Sequence, residues 1–169
     1  VIEASPTEDH RGAFTRLYCE KELSGILAGR RIVQVNHSLT RAKGAIRGLH
    51  YQSPPHAEMK LVRCTKGKVW DVTVDLRKAS PTFLRWHAEK LSGAKTMVVP
   101  EGCAHGFQVL EPESELLYLH TAFYHPSSEG GIAYNDPALA IAWPLPVTDI
   151  SERDKNYPFV DNTFSGLAL

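Results

Sequence analysis

No apolar run in the sequence approaches the roughly 20 residues that a membrane-spanning helix needs, and the chain opens at Val1 without a signal-peptide pattern. Net charge is missing as well. The 19 Lys+Arg balance the 19 Asp+Glu, so no global field draws the chain to nucleic acid or to a membrane surface. Any anionic ligand must therefore be held by a local cluster of cations. Cysteine is scarce: Cys19, Cys64 and Cys103 make 3, an odd number with no paired spacing. That argues against a disulfide framework and for reduced thiols in a cytoplasmic protein. Cys64 and Cys103 sit beside apolar residues and read as core fillers rather than nucleophiles. Internal repeats, low-complexity tracts and linkers are also absent, so residues 1–169 read as a single domain with room for a full core. The hydrophobic fraction of 43% and charged fraction of 22% are ordinary for a soluble globular protein. With no initiator Met at Val1, a short N-terminal piece is expected to precede it.

What is present centres on Arg47-Gly-Leu-His50-Tyr-Gln-Ser-Pro-Pro-His-Ala-Glu-Met-Lys60. Arg47 offers a forked, permanently charged clamp for a phosphate or carboxylate. His50 can take a proton near neutral pH without large retuning. Pro54-Pro55 breaks the chain and can fold Lys60 back toward His50, where its ammonium would steady an oxygen that becomes negative during reaction. Base, clamp and electrophile together point to proton abstraction beside a carbonyl in a phosphorylated substrate; the plainer reading is a polar, basic surface loop. As a base, His50 needs a carboxylate to hold its tautomer, and Asp71, Asp75, Asp136 and Asp154 are all candidates by sequence.

Further along, Val99-Pro-Glu-Gly-Cys-Ala-His105-Gly-Phe107 sets a histidine between glycine-bearing turns at a strand entry. His50, His56 and His105 invite a metal reading, but there is no His-x-His pair, and a basic, lysine-bearing segment stands where a carboxylate ligand is expected. Tyr118 and Tyr124 lie an even number of positions apart, which puts them on one side of a continuous strand. One could exchange a proton through its phenol while the other stacks on a planar base, although both also fit as ordinary amphipathic strand residues.

The secondary-structure pattern is mostly β. Residues 10–16 suggest an edge strand, and residues 20–27 a short helix stopped near Gly29. Short strands follow at 32–36, 60–64, 69–76, 83–91, 96–99, 106–110 and 116–123, separated by turns. Strands of that length and spacing argue for a β-sandwich or barrel rather than βαβ units, and a jelly roll has an open mouth for a ligand. The proline-rich tail ends with Ser151 placed to cap one helical turn through Asp154.

Taken in order, Gln34-x-Asn36-His-Ser38, Arg47-Gly-Leu-His-Tyr-Gln52, Lys60-Leu-Val-Arg63, Asp71-Val-x-Val-Asp-Leu-Arg77, Ser80-Pro-Thr-Phe83, Pro100-Glu-Gly-x-Ala-His-Gly-Phe107 and Asn135-Asp136 resemble the dTDP-4-dehydrorhamnose 3,5-epimerase family. The likeness runs from Arg11-Gly-x-Phe14 to Asp154. It implies an all-β, cupin-like jelly roll with a few short helices, acting as a homodimer without metal or redox cofactor on a dTDP-linked 4-keto-6-deoxy sugar. It further implies His50 as the base at C3 and C5, Asp154 as its carboxylate, Tyr118 as the acid on the opposite face and Lys60 as the cation near the enolate oxygen. Tyr124 would stack on thymine, and Arg11, Gln34, Asn36, Arg47, His105 and Glu129 would contact nucleotide or sugar. Arg16 stands where the family commonly has a glutamate, and Leu119 where it has a lysine beside the tyrosine. Related enzymes invert only C3 or only C5, or act on other nucleotide-linked ketosugars, and these alternatives stay open.

Overall fold

In the computed structural model, which describes residues 1–161 and 163–169, the chain is built almost entirely of strands. In order these are β1 (Ile2–Glu3), β2 (Thr7–Asp9), β3 (Gly12–Phe14), β4 (Gln34–Thr40), β5 (Ile46–Gln52), β6 (Lys60–Lys66), β7 (Val69–Asp75), β8 (Trp86–Leu91), β9 (Lys95–Val99), β10 (Cys103–Val109), β11 (Ser114–His120) and β12 (Glu129–Gly131). Two single-turn α-helices, α1 (Ser24–Leu27) and α2 (Glu152–Lys155), and one 3-10 turn (Pro126–Ser128) complete the set among the described residues. Two antiparallel sheets face each other. One has the order β1-β9-β6-β11-β4 and the other β12-β5-β10-β7-β8, while among the described residues β2 and β3 pair only with each other. This is a cupin-like jelly roll. No described helix is long and apolar enough to cross a membrane.

Period-two alternation produces three apolar layers. Between the sheets, Val62, Cys64, Val69, Leu91, Met97, Val99, Phe107, Val109 and Leu116 form the interior. Outside the second sheet, Leu49, Val72, Val74 and Leu76 are covered by C-terminal residues including Trp143 and Phe164. Outside the first sheet, Leu61 and Leu119 pack on Leu27 and Met59. Cys64 and Cys103 are buried free thiols, and burial raises both to about 11, as suits core fillers.

Several expectations need correction. The segment 10–16 makes a small hairpin strand, β3, apart from both main sheets, and the helix expected over 20–27 shrinks to α1. The segment around Arg47 and His50 is a central strand and not a surface loop. Its pattern is obscured because β5 slips register against β10 between the pairs His105–His50 and Phe107–Arg47. Gly48 lies in this bulge with a φ of +115°, and a Cβ there would come within 2.6 Å of the Gly106 backbone. The slip lets Arg47 and His50, an odd number of positions apart, face the same cavity. Finally, β11 ends at His120, so strand alternation does not relate Tyr118 to Tyr124.

Candidate active site

A cavity of about 590 Å³ opens between the sheets, with Asn36 and Ser38 from β4, Arg47 and His50 from β5, Lys60 from β6, His105 from β10 and Tyr118 from β11 among its lining residues. Pro54-Pro55 lies in the crossing from the second sheet to the first, which is how His50 and Lys60 come to face one space from opposite walls. Gln34, Tyr124 and Glu129 stand among the lining residues as well.

Asp154 sits just behind the wall. Its Oδ1 lies 2.9 Å from His50 Nε2, and its Oδ2 accepts the Gly48 amide at 2.9 Å. A carboxylate only accepts, so Nε2 carries the hydrogen and Nδ1 keeps the lone pair that can take a proton. Burial pushes Asp154 up, but the His50 and Gly48 hydrogen bonds outweigh it and hold the carboxyl at about 2. Ser151 caps α2 by accepting the Asp154 amide at 3.1 Å, which fixes the carboxylate on its turn. The other candidate carboxylates are engaged elsewhere. Asp71 pairs with His105 at 2.8 Å, Asp75 with Arg77 at 2.7 Å, and Asp136 accepts the Ala138 amide at 2.7 Å.

Tyr118 reaches the cavity from the facing sheet, with its hydroxyl 3.0 Å from Ser38 Oγ. Burial pushes the phenol well above its ordinary range, opposed by the Ser38 hydrogen bond, so it is firmly protonated at neutral pH. The Arg47 Nε donates to Thr40 Oγ1 at 2.9 Å, tying β5 to β4 at the cavity edge. At the mouth, Tyr124 donates to Glu129 at 2.9 Å, and Arg153 donates to the same carboxylate at 2.9 Å.

One expected residue, Arg11, falls elsewhere, and His56, which the metal reading would have needed, stands apart as well. Arg11 stands on the β2–β3 hairpin with its side chain 78% exposed, paired with Asp9 and outside the cavity of its own chain. His56 bonds Ser128 at 2.9 Å and stacks on His125 instead of joining His50 and His105. The two departures from the family pattern also lie off the cavity: Arg16 pairs with Glu22, and Leu119 points into the outer layer with Leu27, because its neighbour Tyr118 takes the inner face.

Arg153, Glu58 and His120 are among the cavity residues that were not anticipated. Arg153 places Nη2 at 3.3 Å from His50 Nε2, while Glu58 and His120 bond each other at 2.7 Å. His120 was legible, since it lies two positions after Tyr118 on β11 and so shares its face. Glu58 precedes its strand and carries no such signal.

Such a site holds a carboxylate-paired imidazole on one wall and a neutral phenol with a lysine on the other, an arrangement suited to moving protons. Fold and site together define an isomerase of the cupin-like jelly-roll class. A sequence model described as dTDP-4-dehydrorhamnose 3,5-epimerase matches residues 1–162. The chain is 42% identical over 166 residues to the Salmonella typhimurium enzyme of that name, covering 95% of this chain and 90% of that one. It superposes with a TM-score of 0.91 on the Legionella pneumophila dTDP-6-deoxy-D-glucose-3,5-epimerase solved with dTDP-4-keto-L-rhamnose, at 38% identity and covering 99% and 92% of the two chains. A 3'-monoepimerase from Streptomyces bikiniensis, solved with dTDP-quinovose, gives 0.86 at 31% identity and covers 94% and 81%. This chain belongs to the dTDP-4-dehydrorhamnose 3,5-epimerase family.

Proposed function

We propose that the protein inverts C3 and C5 of a dTDP-linked 4-keto-6-deoxyhexose, as in dTDP-L-rhamnose biosynthesis, with residues 1–169 acting as one epimerase domain. The observation that carries this reading is that the His50–Asp154 pair and Tyr118 meet one cavity from opposite sheets, with Lys60 beside them. His50 Nδ1 takes the proton from C3, and the C–H electron pair moves into the ketone to give an enolate at C4. Lys60 offsets the charge on that oxygen, a contribution typically worth on the order of 10²- to 10³-fold in rate. Tyr118 then gives its proton to C3 from the opposite face. The buried phenolate left behind is held by Ser38 until solvent returns a proton, and His50 releases its own, so no net proton is consumed. Repeating the sequence at C5 completes the double inversion.

The expected substrate contacts are Arg47, Gln34, Asn36 and His105 along the cavity, with Tyr124 and Glu129 at its mouth for the nucleotide. Arg11 joins them from a second subunit: in a homodimer the exposed β2–β3 hairpin of one protomer would reach the cavity of its partner. A nucleotide-sugar substrate and free thiols fit a cytoplasmic setting. Incubation in deuterium oxide with dTDP-, UDP- and CDP-linked 4-ketosugars, followed by NMR, tests the reading. Label at both C3 and C5 of the dTDP sugar supports it. Label at one carbon supports mono-epimerisation, the reading favoured by likeness to the Streptomyces bikiniensis enzyme. No label in any sugar would sink both.

A further inference from the structure

Glu58 and His120 lie in the cavity wall beside Lys60, each with less than a tenth of its surface exposed, and the mechanism above gives neither a task. One Glu58 oxygen lies 3.1 Å from Lys60 Nζ and the other 2.7 Å from His120 Nδ1. Since the carboxylate only accepts, Nδ1 is the donor, and in the neutral ring Nε2 is left to accept from Asn36 Nδ2 at 3.3 Å. That fixes the Asn36 amide, whose Oδ1 faces Gln34 Nε2 at 3.4 Å, and Gln34 in turn accepts the Tyr124 amide at 3.0 Å. One polar chain therefore runs from the lysine through the wall to the mouth. Glu58 is its branch point. Although burial pushes the Glu58 carboxyl up, the His120 hydrogen bond and the Lys60 charge outweigh it, and the group stays ionised.

We propose that Glu58 and His120 are positioning residues of this site: Glu58 holds the Lys60 ammonium at the enolate oxygen, and His120 carries the constraint to Asn36 and Gln34. This rests on the epimerase reading. A lysine stem is long and flexible, and among the described residues Glu58 is the carboxylate that pairs with Lys60. Electrostatic stabilisation acts only where the cation is already aimed at the position the oxygen will occupy. A counter-ion on the far side of the ammonium supplies that aim. Because His120 shares the carboxylate, its negative charge is spread away from the reacting oxygen.

The two halves separate by substitution. Glu58→Gln keeps an oxygen to accept from His120 but turns an amide N–H₂ toward Lys60, so it cuts the lysine half alone. We expect kcat for C3 exchange to fall about tenfold or more with KM changed less than about threefold, because transition-state stabilisation is lost and ground-state binding is not. In a Lys60→Ala background the same change should cost less than about twofold, since its effect passes through Lys60. His120→Phe cuts the other half and should raise KM several-fold with a smaller effect on kcat. If Glu58→Gln does not fold, Glu58→Asp, one methylene short of Lys60, should lower kcat in the same non-additive way. A Glu58 variant that turns over like the native protein, or that loses as much without Lys60 as with it, overturns the proposal. So does a loss confined to thermal stability. Absence of exchange by the native protein would instead overturn the epimerase reading and this inference together, so the two failures are distinguishable.

Discussion

At the level of single residues, the proposed reaction gives His50 and Tyr118 separable tasks. In it His50 removes a proton from one face without help from the phenol, so Tyr118→Phe should continue to wash solvent deuterium into C3 while yield of the inverted sugar falls by about 10²-fold or more. NMR of the recovered substrate distinguishes retained from inverted label. A variant that inverts at the native rate would remove Tyr118 from the mechanism.

Asp154 makes a pH prediction with a definite sign. Its folded-state pKa of about 2 lies below the ordinary 3.8, so the folded protein favours the carboxylate. The stability this contributes is present above about pH 4 and is lost as pH falls toward about 2. Urea midpoints measured from pH 5 to pH 2 should fall more steeply for the native protein than for Asp154→Asn. Parallel slopes would contradict the assignment. Spacing alone left Asp71, Asp75, Asp136 and Asp154 equivalent, and only the family likeness chose among them. The reason is physical: the partner of a histidine on β5 comes from a helical turn near the far end of the chain, a contact that no local periodicity encodes.

Among the elements, the strongest lesson is the contrast between β7 and β5. Strand β7 alternates cleanly and was legible, although its Asp71 and Asp75 turn inward to partners instead of facing solvent. Strand β5 was not, because the slip at Gly48 breaks the two-residue period in the segment that carries the base. The helix α2 was legible through its cap. Ser151→Ala should cost about 1 kcal/mol of stability, read in a thermal or urea melt. Because Asp154 rides on that turn, kcat should fall as well, with dTDP affinity preserved. Stability lost without any change in kcat would show that the turn does not position the carboxylate.

For the whole molecule, a β-sandwich or barrel followed from strand length and spacing and the jelly roll from the family likeness, whereas a place for Arg11 followed from neither pattern nor spacing, since nothing in one chain says which copy a hairpin serves. If the hairpins are exchanged, a site needs His50 from one protomer and Arg11 from the other. Arg11→Ala and His50→Ala proteins, unfolded and refolded together, should recover low-KM turnover that neither shows alone. Native-like KM in Arg11→Ala by itself would exclude the arrangement.

Phe107 belongs both to the cavity lining and to the packed interior beneath it. The proposed base stands on one jaw and the proposed acid on the other, and the girth of that ring and its neighbours would then act as a spacer setting how wide a reactant the jaws can grip. Shaving the spacer would bring the jaws out of adjustment without touching any group that handles a proton, and proteins of this build could be retuned for thicker or thinner rings from underneath.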